Sequence, residues 1–305
     1  MKYLNIYLIL GICIQIIGFD AKAVEENWTQ EQWNKVELKT EHVAGNFYVI
    51  NGLWRGNSGV FVGEDGVVLI DSQFAPLTDK LLADIAGISN KNVKYVINTH
   101  SHTDHIGGNQ KLSKQGAMII AHKKVKEDME NDHENFMMNI PSTPSGLPNI
   151  TYTDRLNLYT NGEEVQIIHV NNAHTDDDSI IYFKGSNVIH MGDIYFTSGL
   201  PYIDTNIGGS INGMIHAVEL VLTMSDRQTK IIAGHGPVGD KEGLKRYLIM
   251  LKNAYTIISN EKKQGKNISD IQESPDAFLK SIKEPWVNSG IGGRNHFISS
   301  VFKSI

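Results

Sequence analysis

A single cysteine, Cys13, stands in 305 residues, and it falls inside an apolar N-terminal run. Once that run is removed, no thiol is left to form a disulfide, act as a nucleophile or ligate a metal. Any metal must then be held by histidine and carboxylate. Cys13 is preceded by Ile12, where a lipoprotein signal calls for a small residue, so no lipid anchor is expected. Basic runs are lacking as well: 28 Lys and Arg stand against 34 Asp and Glu, a formal net charge of −6. A nucleic-acid partner depends on clustered Lys and Arg, and none is expected here. After Phe19 no stretch approaches the roughly 20 apolar residues that span a bilayer. With 41% hydrophobic and 20% charged residues, neither disorder nor a low-complexity repeat fits.

What is present begins with an address. Met1-Lys2 is a short positive start, Leu4 to Phe19 is almost uninterruptedly apolar, and Ala21-Lys22-Ala23 supplies the small-x-small pattern of a cleavage site. At about 16 residues the run is too short for a membrane anchor, and it predicts a signal peptide over residues 1–23, cut after Ala23. The protein is then exported, periplasmic or secreted. Removing Lys2, Lys22 and Asp20 leaves the remainder slightly more acidic.

A length of 305 residues allows one large domain or two small ones at roughly 100–200 residues each. Phe47 to Ile50 reads as a strand ended by the turn Asn51-Gly52, and Gly59 to Gly63 with Gly66 to Asp71 as a hairpin closed by Glu64-Asp65-Gly66. Asp79 to Ile88 has helical spacing with Thr78 as its cap. Val93 to Asn98 is a strand, followed by a helix near Gly108 to Lys114, a strand at Ala117 to Ala121, and a helix around Lys123 to Asn131. An irregular stretch with Pro141, Pro144 and Pro148 intervenes. Strand signals restart at Leu156 to Leu158, Glu164 to Val170, Ser179 to Phe183 and Asn187 to Met191. Helices near Ile211 to Met224 and Lys241 to Lys262 flank a strand at Lys230 to Ala233. The tail, from Pro285 to Phe302, predicts a final helix docked on the body. Each half runs strands first and helices after, which fits two stacked sheets flanked by helices.

The densest chemistry follows the strand at Val93 to Asn98: Thr99-His100-Ser101-His102-Thr103-Asp104-His105-Ile106-Gly107-Gly108. His100 and His102 are two apart, so an extended backbone projects both imidazoles to one side, where they can grip one ion. Asp104 and His105 come after the chain turns, at a helix start, and can point at a second ion nearby. Imidazole with carboxylate suits zinc or another first-row ion. The chain has only 12 histidines, so three of them beside an aspartate here are poorly explained as a coincidental polar loop.

This decapeptide resembles the His-x-His-x-Asp-His signature of the metallo-β-lactamase superfamily. Three later segments resemble the family's other motifs in the same order: Ala173-His174-Thr175 with Asp178-Ser179, then Met191-Gly192-Asp193, then Ala233-Gly234-His235-Gly236-Pro237. The similarity runs from about Asn46 to Pro237. It implies an α+β fold, the four-layer αββα metallo-β-lactamase-like sandwich, for residues 24–305, and two divalent metal ions, zinc first, with iron or manganese as alternatives. It also implies that His100, His102 and His174 hold one ion, that Asp104, His105 and His235 hold the other, and that Asp193 bridges them. Asp104 would in addition orient the attacking hydroxide. The zinc β-lactamases generally carry Cys or Ser where this chain has Asp193, whereas glyoxalase II enzymes, lactonases and many other hydrolases of the family carry the bridging aspartate.

One departure is Asp177, where the family often has glycine; if φ is positive there, Asp tolerates it better than most residues. Asp178 then orients a ligand histidine rather than binding metal. Asp71 resembles the family's aspartate behind the site, supporting the first-motif loop. Glycines 59, 107, 108, 192, 234 and 236 crowd around the motifs, as turns and as points where backbone approaches closely.

The expected activity is hydrolysis of an ester, lactone or thioester in a small-molecule substrate, with a metal-bridging hydroxide as nucleophile. A β-lactam ranks second, and a phosphodiester third because of the acidic balance. Di-iron oxidoreductases of this fold typically replace His102 with a carboxylate and add a flavin domain, and this chain shows neither. A silent binding protein is disfavoured by the complete set of seven ligands. Trp54, Phe196, Tyr202 and Ile203 are candidate substrate walls, and Tyr195 a candidate oxyanion donor. His42, His122, His133, His169, His190, His216 and His296 lack ligand spacing and read as core or surface.

Overall fold

Two mixed β-sheets form the centre of the protein. The first carries β1 (Lys39–Ala44), β2 (Phe47–Asn51), β3 (Asn57–Phe61), β4 (Val67–Ile70), β5 (Val93–Ile97), β6 (Met118–His122) and β7 (Ile150–Tyr152), laid out in sequence order. The second carries β8 (Arg155–Thr160), β9 (Glu163–His169), β10 (Ser179–Phe183), β11 (Val188–His190), β12 (Lys230–Ile232) and β13 (Gly239–Asp240), also in order. The structure, a computed structural model, describes residues 28–52, 56–131, 146–273, 280, 282, 285–286 and 292–305. The N-terminal apolar run with Cys13, and Trp54, His133, Pro141 and Pro144, lie outside them.

Side-chain alternation sets the layers. In β4, Val68 and Ile70 face the second sheet while Val67 and Leu69 face away; in β10, Ile181 and Phe183 face the first sheet while Ile180 faces away. Phe183 locks the two sheets together, its ring centroid 4.8 Å from Phe47 and 5.2 Å from Phe61. Each such buried side chain contributes roughly 1.5–3 kcal/mol.

Helices cover both outer faces. Among the described residues the α-helices are α1 (Gln30–Asn34), α2 (Thr78–Ile88), α3 (Thr103–Ile106), α4 (Asn109–Lys114), α5 (Lys123–Asn131), α6 (Ile211–Met224), α7 (Lys241–Lys263), α8 (Ile268–Glu273) and α9 (Gly293–Lys303). Leu81 and Ile85 of α2 and Leu112 of α4 cover the first sheet. Val218 and Val221 of α6, Leu244 and Leu251 of α7, and Phe297 and Val301 of α9 cover the second. The result is an α+β four-layer αββα sandwich, as the resemblance implied. The docked final helix is α9.

Two local readings need correction. Thr78 does not cap α2: it is the first helical residue, Leu77 precedes it, and its hydroxyl donates to the Ala75 carbonyl at 2.9 Å. Strand β1 gave no signal because Lys39, Thr40, Glu41 and His42 are exposed, and pairing with β2 alone makes it a strand.

Strand direction then gathers the motifs. Strands β9 and β11 both run antiparallel to β10, and β12 runs parallel to β11, so the C-terminal ends of β9, β11 and β12 share one edge. The end of β5 joins that edge where the Ser179 N–H donates to the Thr99 carbonyl at 2.8 Å. Among the described residues no helix is long and apolar enough to cross a membrane.

Candidate metal centre

The loop leaving β5 is held from behind by buried polar groups. Asp71, at the end of β4 and at φ 61°, accepts from the Thr99 N–H at 2.8 Å and the Thr99 hydroxyl at 2.8 Å, and takes His105 Nδ1 at 2.7 Å. This is the supporting aspartate anticipated from the sequence. Asn98 donates to the His105 carbonyl at 3.0 Å and accepts from Asn109 at 2.8 Å, and the Ser72 N–H donates to the same carbonyl at 2.7 Å. Asn98, Asn109 and Ser72 were not singled out in the sequence.

Each histidine of the first cluster has one ring nitrogen engaged on the far side. His100 Nδ1 lies 3.0 Å from the Thr99 hydroxyl, His102 Nε2 lies 3.3 Å from Asp204 Oδ2, and His174 Nδ1 lies 2.8 Å from the Tyr202 carbonyl. The oxygens of Asp204 and Tyr202 only accept, so these rings carry their proton there and turn a bare nitrogen inward. His102 Nδ1 and His174 Nε2 consequently face each other at 3.0 Å. At that distance the two nitrogens can share one ring proton in the metal-free protein, and a metal ion can take that proton's place. His105 follows the same logic, with Nδ1 on Asp71 and Nε2 directed inward.

Two carboxylates complete the site. Asp193 Oδ1 lies 3.2 Å from His105 Nε2, and its Oδ2 lies 3.2 Å from His235 Nε2 and 3.8 Å from His174 Nε2. Asp104 Oδ2 lies 3.3 Å from both His105 Nε2 and His235 Nε2. Gly234 permits this arrangement, because a Cβ there would stand 1.9 Å from Asp193 Oδ1 and 2.7 Å from the Gly192 carbonyl carbon.

Burial pushes every one of these groups toward its neutral form. In Asp104 and Asp193, His105 and His235 outweigh burial and hold both carboxyls below the usual carboxylate range. The carboxylates in return hold His105 well above its ordinary value and His235 at about 9, again against burial. Burial and then the neighbouring imidazoles push His100 well down and His174 to about 4. His102 is opposed by burial too, but the hydrogen bond and charge of Asp204 raise it.

Ligand atoms of His100, His102, His174 and Asp193 lie within 4.8 Å of one another, as do those of Asp104, His105 and His235, and all seven residues are buried. His100 Nε2, His105 Nε2, His235 Nε2 and Asp193 Oδ1 are buried without a hydrogen-bond partner. Buried polar atoms left without a hydrogen-bond partner are costly, and a cation seated among these nitrogens and carboxylate oxygens would satisfy them together. Imidazole and carboxylate are the donor set of a divalent first-row ion, so the residues fit the two ions that the sequence implied.

The structure sorts the remaining candidates. Asp178 accepts from the Thr175 N–H at 2.8 Å and the Thr175 hydroxyl at 2.9 Å; it shapes the loop carrying His174, while Tyr202 orients the ring. Asp177 is not at left-handed φ; near the site Asp71 and Gln73 are, together with the glycines Gly56, Gly192 and Gly236. Tyr195 is buried with its ring 5.2 Å from Tyr247 and its hydroxyl against Gly239 and Gly243, so it belongs to the core and is no oxyanion donor. Ile203 is core as well. Phe196 stacks on His235 at 5.4 Å and 9°. Half-buried Tyr202 stands edge-on to His102 and His174 at 6.1 and 5.9 Å. His296, read as core or surface, instead stacks on Tyr202 at 4.2 Å and 4°. Asp204 was missed outright; its only signal was its place beside Pro201, Tyr202 and Ile203.

A model of the Metallo-beta-lactamase superfamily matches residues 51–235, more than half of the chain and every residue of this site. The chain belongs to the metallo-beta-lactamase superfamily. This superfamily member is 24% identical over 81% of its length to the metallo-beta-lactamase type 2 of Bacillus cereus, 99% of which it covers. It is 28% identical over 55% of its length to the hydroxyacylglutathione hydrolase of Pelagibacter ubique, covering 60% of that protein. Among solved structures, the metallo-beta-lactamase from Pontibacter korlensis superposes with a TM-score of 0.60 at 17% identity, covering 71% of this chain and 100% of that one. That last likeness speaks to the fold. The superfamily and these relatives are metal-dependent hydrolases, and the chain is one.

Proposed function

We propose that the chain is an exported enzyme that hydrolyses a carboxylic ester, lactone or thioester in a small molecule, using two zinc ions. His100, His102 and His174 hold one ion, Asp104, His105 and His235 the other, and Asp193 is shared. The observation that carries this reading is Asp193, whose two oxygens reach histidines of both clusters, at 3.2 Å from His105 and His235 and 3.8 Å from His174. Zinc suits a histidine-rich site with no thiol, with iron or manganese as the alternatives to measure.

Two divalent ions supply Lewis acidity, polarising a scissile carbonyl and lowering the pKa of water from about 15.7 toward about 7. The protein does the rest. Asp104, kept ionised by His105 and His235, accepts a hydrogen bond from the attacking water and orients it. Asp71, Asp204 and the Tyr202 carbonyl fix the histidine tautomers, so no ring has to turn during the reaction. No Ser or Cys nucleophile is needed.

The aspartate at 193 also favours the ester, lactone and thioester class, since the family's zinc β-lactamases generally carry Cys or Ser there. A second reading, opening of a β-lactam ring, rests on the named Bacillus cereus relative, matched over 81% of this chain. One panel separates them: chromogenic esters, lactones, thioesters and cephalosporins given to the zinc-loaded protein and to His102→Ala and Asp193→Ala. The proposal expects turnover in the first three groups, reduced by orders of magnitude in both variants. Cephalosporin turnover alone supports the second reading, and undiminished rates in both variants contradict the two-ion mechanism. Export is read from residues 1–23, and the N-terminal sequence of the secreted or periplasmic protein should begin at Val24.

A further inference from the structure

The superfamily match ends at His235, yet the chain beyond it returns to the back of the metal centre at two points. At one, the Trp286 indole N–H donates to the Phe196 carbonyl at 2.9 Å, and the Phe196 ring lies flat on His235 at 5.4 Å. The Gly199 N–H donates to the Pro285 carbonyl at 3.2 Å nearby. At the other, His296 in the first turn of α9 lies flat on Tyr202 at 4.2 Å and 4°, held from its own helix by Ser300 at 3.1 Å. Helix α9 is itself fixed, because Phe297, Ile298 and Val301 are fully buried in the core shared with α6 and α7.

Tyr202 converts that contact into control of the site. Its carbonyl fixes His174 Nδ1 at 2.8 Å. Two residues on, the Asp204 N–H donates to the His174 carbonyl at 2.9 Å, while its carboxylate takes His102 Nε2 at 3.3 Å. The stretch from Tyr202 to Asp204 therefore sets both histidines that face each other in the first cluster, and a stacked ring on a rigid helix sets Tyr202. We propose that His296 is a positioning residue of the first metal site, acting through Tyr202 on His174 and His102, so that the C-terminal helix is part of the metal-binding apparatus. The inference rests on the two-ion reading above and deepens it. The working element is the flat ring of His296 rather than its charge or its bond to Ser300, because the contact with Tyr202 is face to face.

The test measures zinc affinity of the full chain by competition with a chelator, for wild type, His296→Ala and His296→Phe, with His100→Ala marking which equivalent belongs to the first cluster. Replacing groups that orient metal ligands costs about 10–100-fold in affinity, and His296 acts one step further back. We expect His296→Ala to weaken the first-cluster equivalent about tenfold and leave the other within about twofold. His296→Phe, which keeps a flat ring on Tyr202 but cannot bond Ser300, restores the affinity. Unchanged affinity in His296→Ala overturns the proposal. So does equal weakening of both equivalents that His296→Phe fails to rescue, which marks a merely structural helix. If wild type has no equivalent sensitive to His100→Ala, the two-ion reading itself fails and this proposal falls with it.

Discussion

Asp204 Oδ2 lies 3.3 Å from His102 Nε2, across the imidazole from the nitrogen that faces His174. Ionised Asp204 accepts the hydrogen bond from Nε2–H and keeps a proton on that nitrogen, which leaves Nδ1 as the one that can offer a lone pair to a metal. Burial alone would raise its carboxyl, but the bond and charge of His102 bring it down to about 2. Asp204→Asn can present an amide N–H instead of an oxygen and favour the wrong tautomer. The expected outcome is a loss of about 10–100-fold in zinc affinity for one of two equivalents, read by chelator competition, with the thermal midpoint of the zinc-free protein little changed.

Asp71 joins backbone strain to metal positioning. It sits at φ 61° and serves both Thr99 and His105. Asn tolerates left-handed backbone far better than Ala does. Asp71→Asn is therefore expected to fold and to lose metal affinity, whereas Asp71→Ala loses stability in addition, by about 1–3 kcal/mol for the strained backbone. Denaturant unfolding of the two zinc-free variants checks this ordering.

Much of this centre was legible because its chemistry is concentrated at strand ends. His100, His102, Asp104 and His105 sit in one segment, and each later motif follows a run of β-branched residues, so pattern and resemblance pointed the same way. The layers were legible too, since each half runs strands first and helices after, and β4 and β10 are the short apolar runs of strands buried on both faces. The groups that hold the histidines were harder to see. Tyr202 acts through a backbone carbonyl, which no side-chain identity announces. Asp204 and His296 reach the site only because the loop after β11 and helix α9 fold back on it, and neither has motif spacing. Strand β1 escaped for the opposite reason: its residues are polar and exposed, and its partner supplies the order.

The zinc-free protein should lose stability as the medium becomes alkaline. In His235, burial is outweighed by Asp193 and Asp104, and the folded value is raised to about 9. A raised histidine contributes stability that is fully present below its unfolded value, about 6.5, and is lost as pH rises through the folded value. Urea unfolding of chelator-treated protein should accordingly show stability falling between about pH 6.5 and 9, and His235→Gln should remove part of that slope. A stability independent of pH over that window contradicts the assignment of imidazolium–carboxylate contacts to the metal-free site.

Asp128 on α5 gives a test away from the site. Burial, then Asp177 and Asp176, raise its carboxyl to about 7. A raised carboxyl favours the folded state fully only below the unfolded value, about 3.9, and that contribution is lost as pH rises through about 7. Asp128→Asn should therefore stabilise the protein at pH 8, and the gain should vanish toward pH 4. Half-burial leaves about 1 kcal/mol of the penalty after solvent screening, or about 2–4 °C in the thermal midpoint.

Gly234 tests how tightly the second sheet closes on Asp193. A Cβ at this position would stand 1.9 Å from Asp193 Oδ1, so Gly234→Ala must displace the shared carboxylate or the strand end. Loss of both zinc equivalents, not one, is expected, because Asp193 reaches histidines of both clusters; elemental analysis of the purified variant reads it directly.

The most direct measurement of the central claim is the zinc stoichiometry of the wild-type protein purified without chelator and equilibrated with excess zinc. Seven side chains converging on two clusters predict close to two equivalents, falling to one in His100→Ala. A wild-type protein that holds one equivalent or none, or a His100→Ala protein that still holds two, would contradict the account.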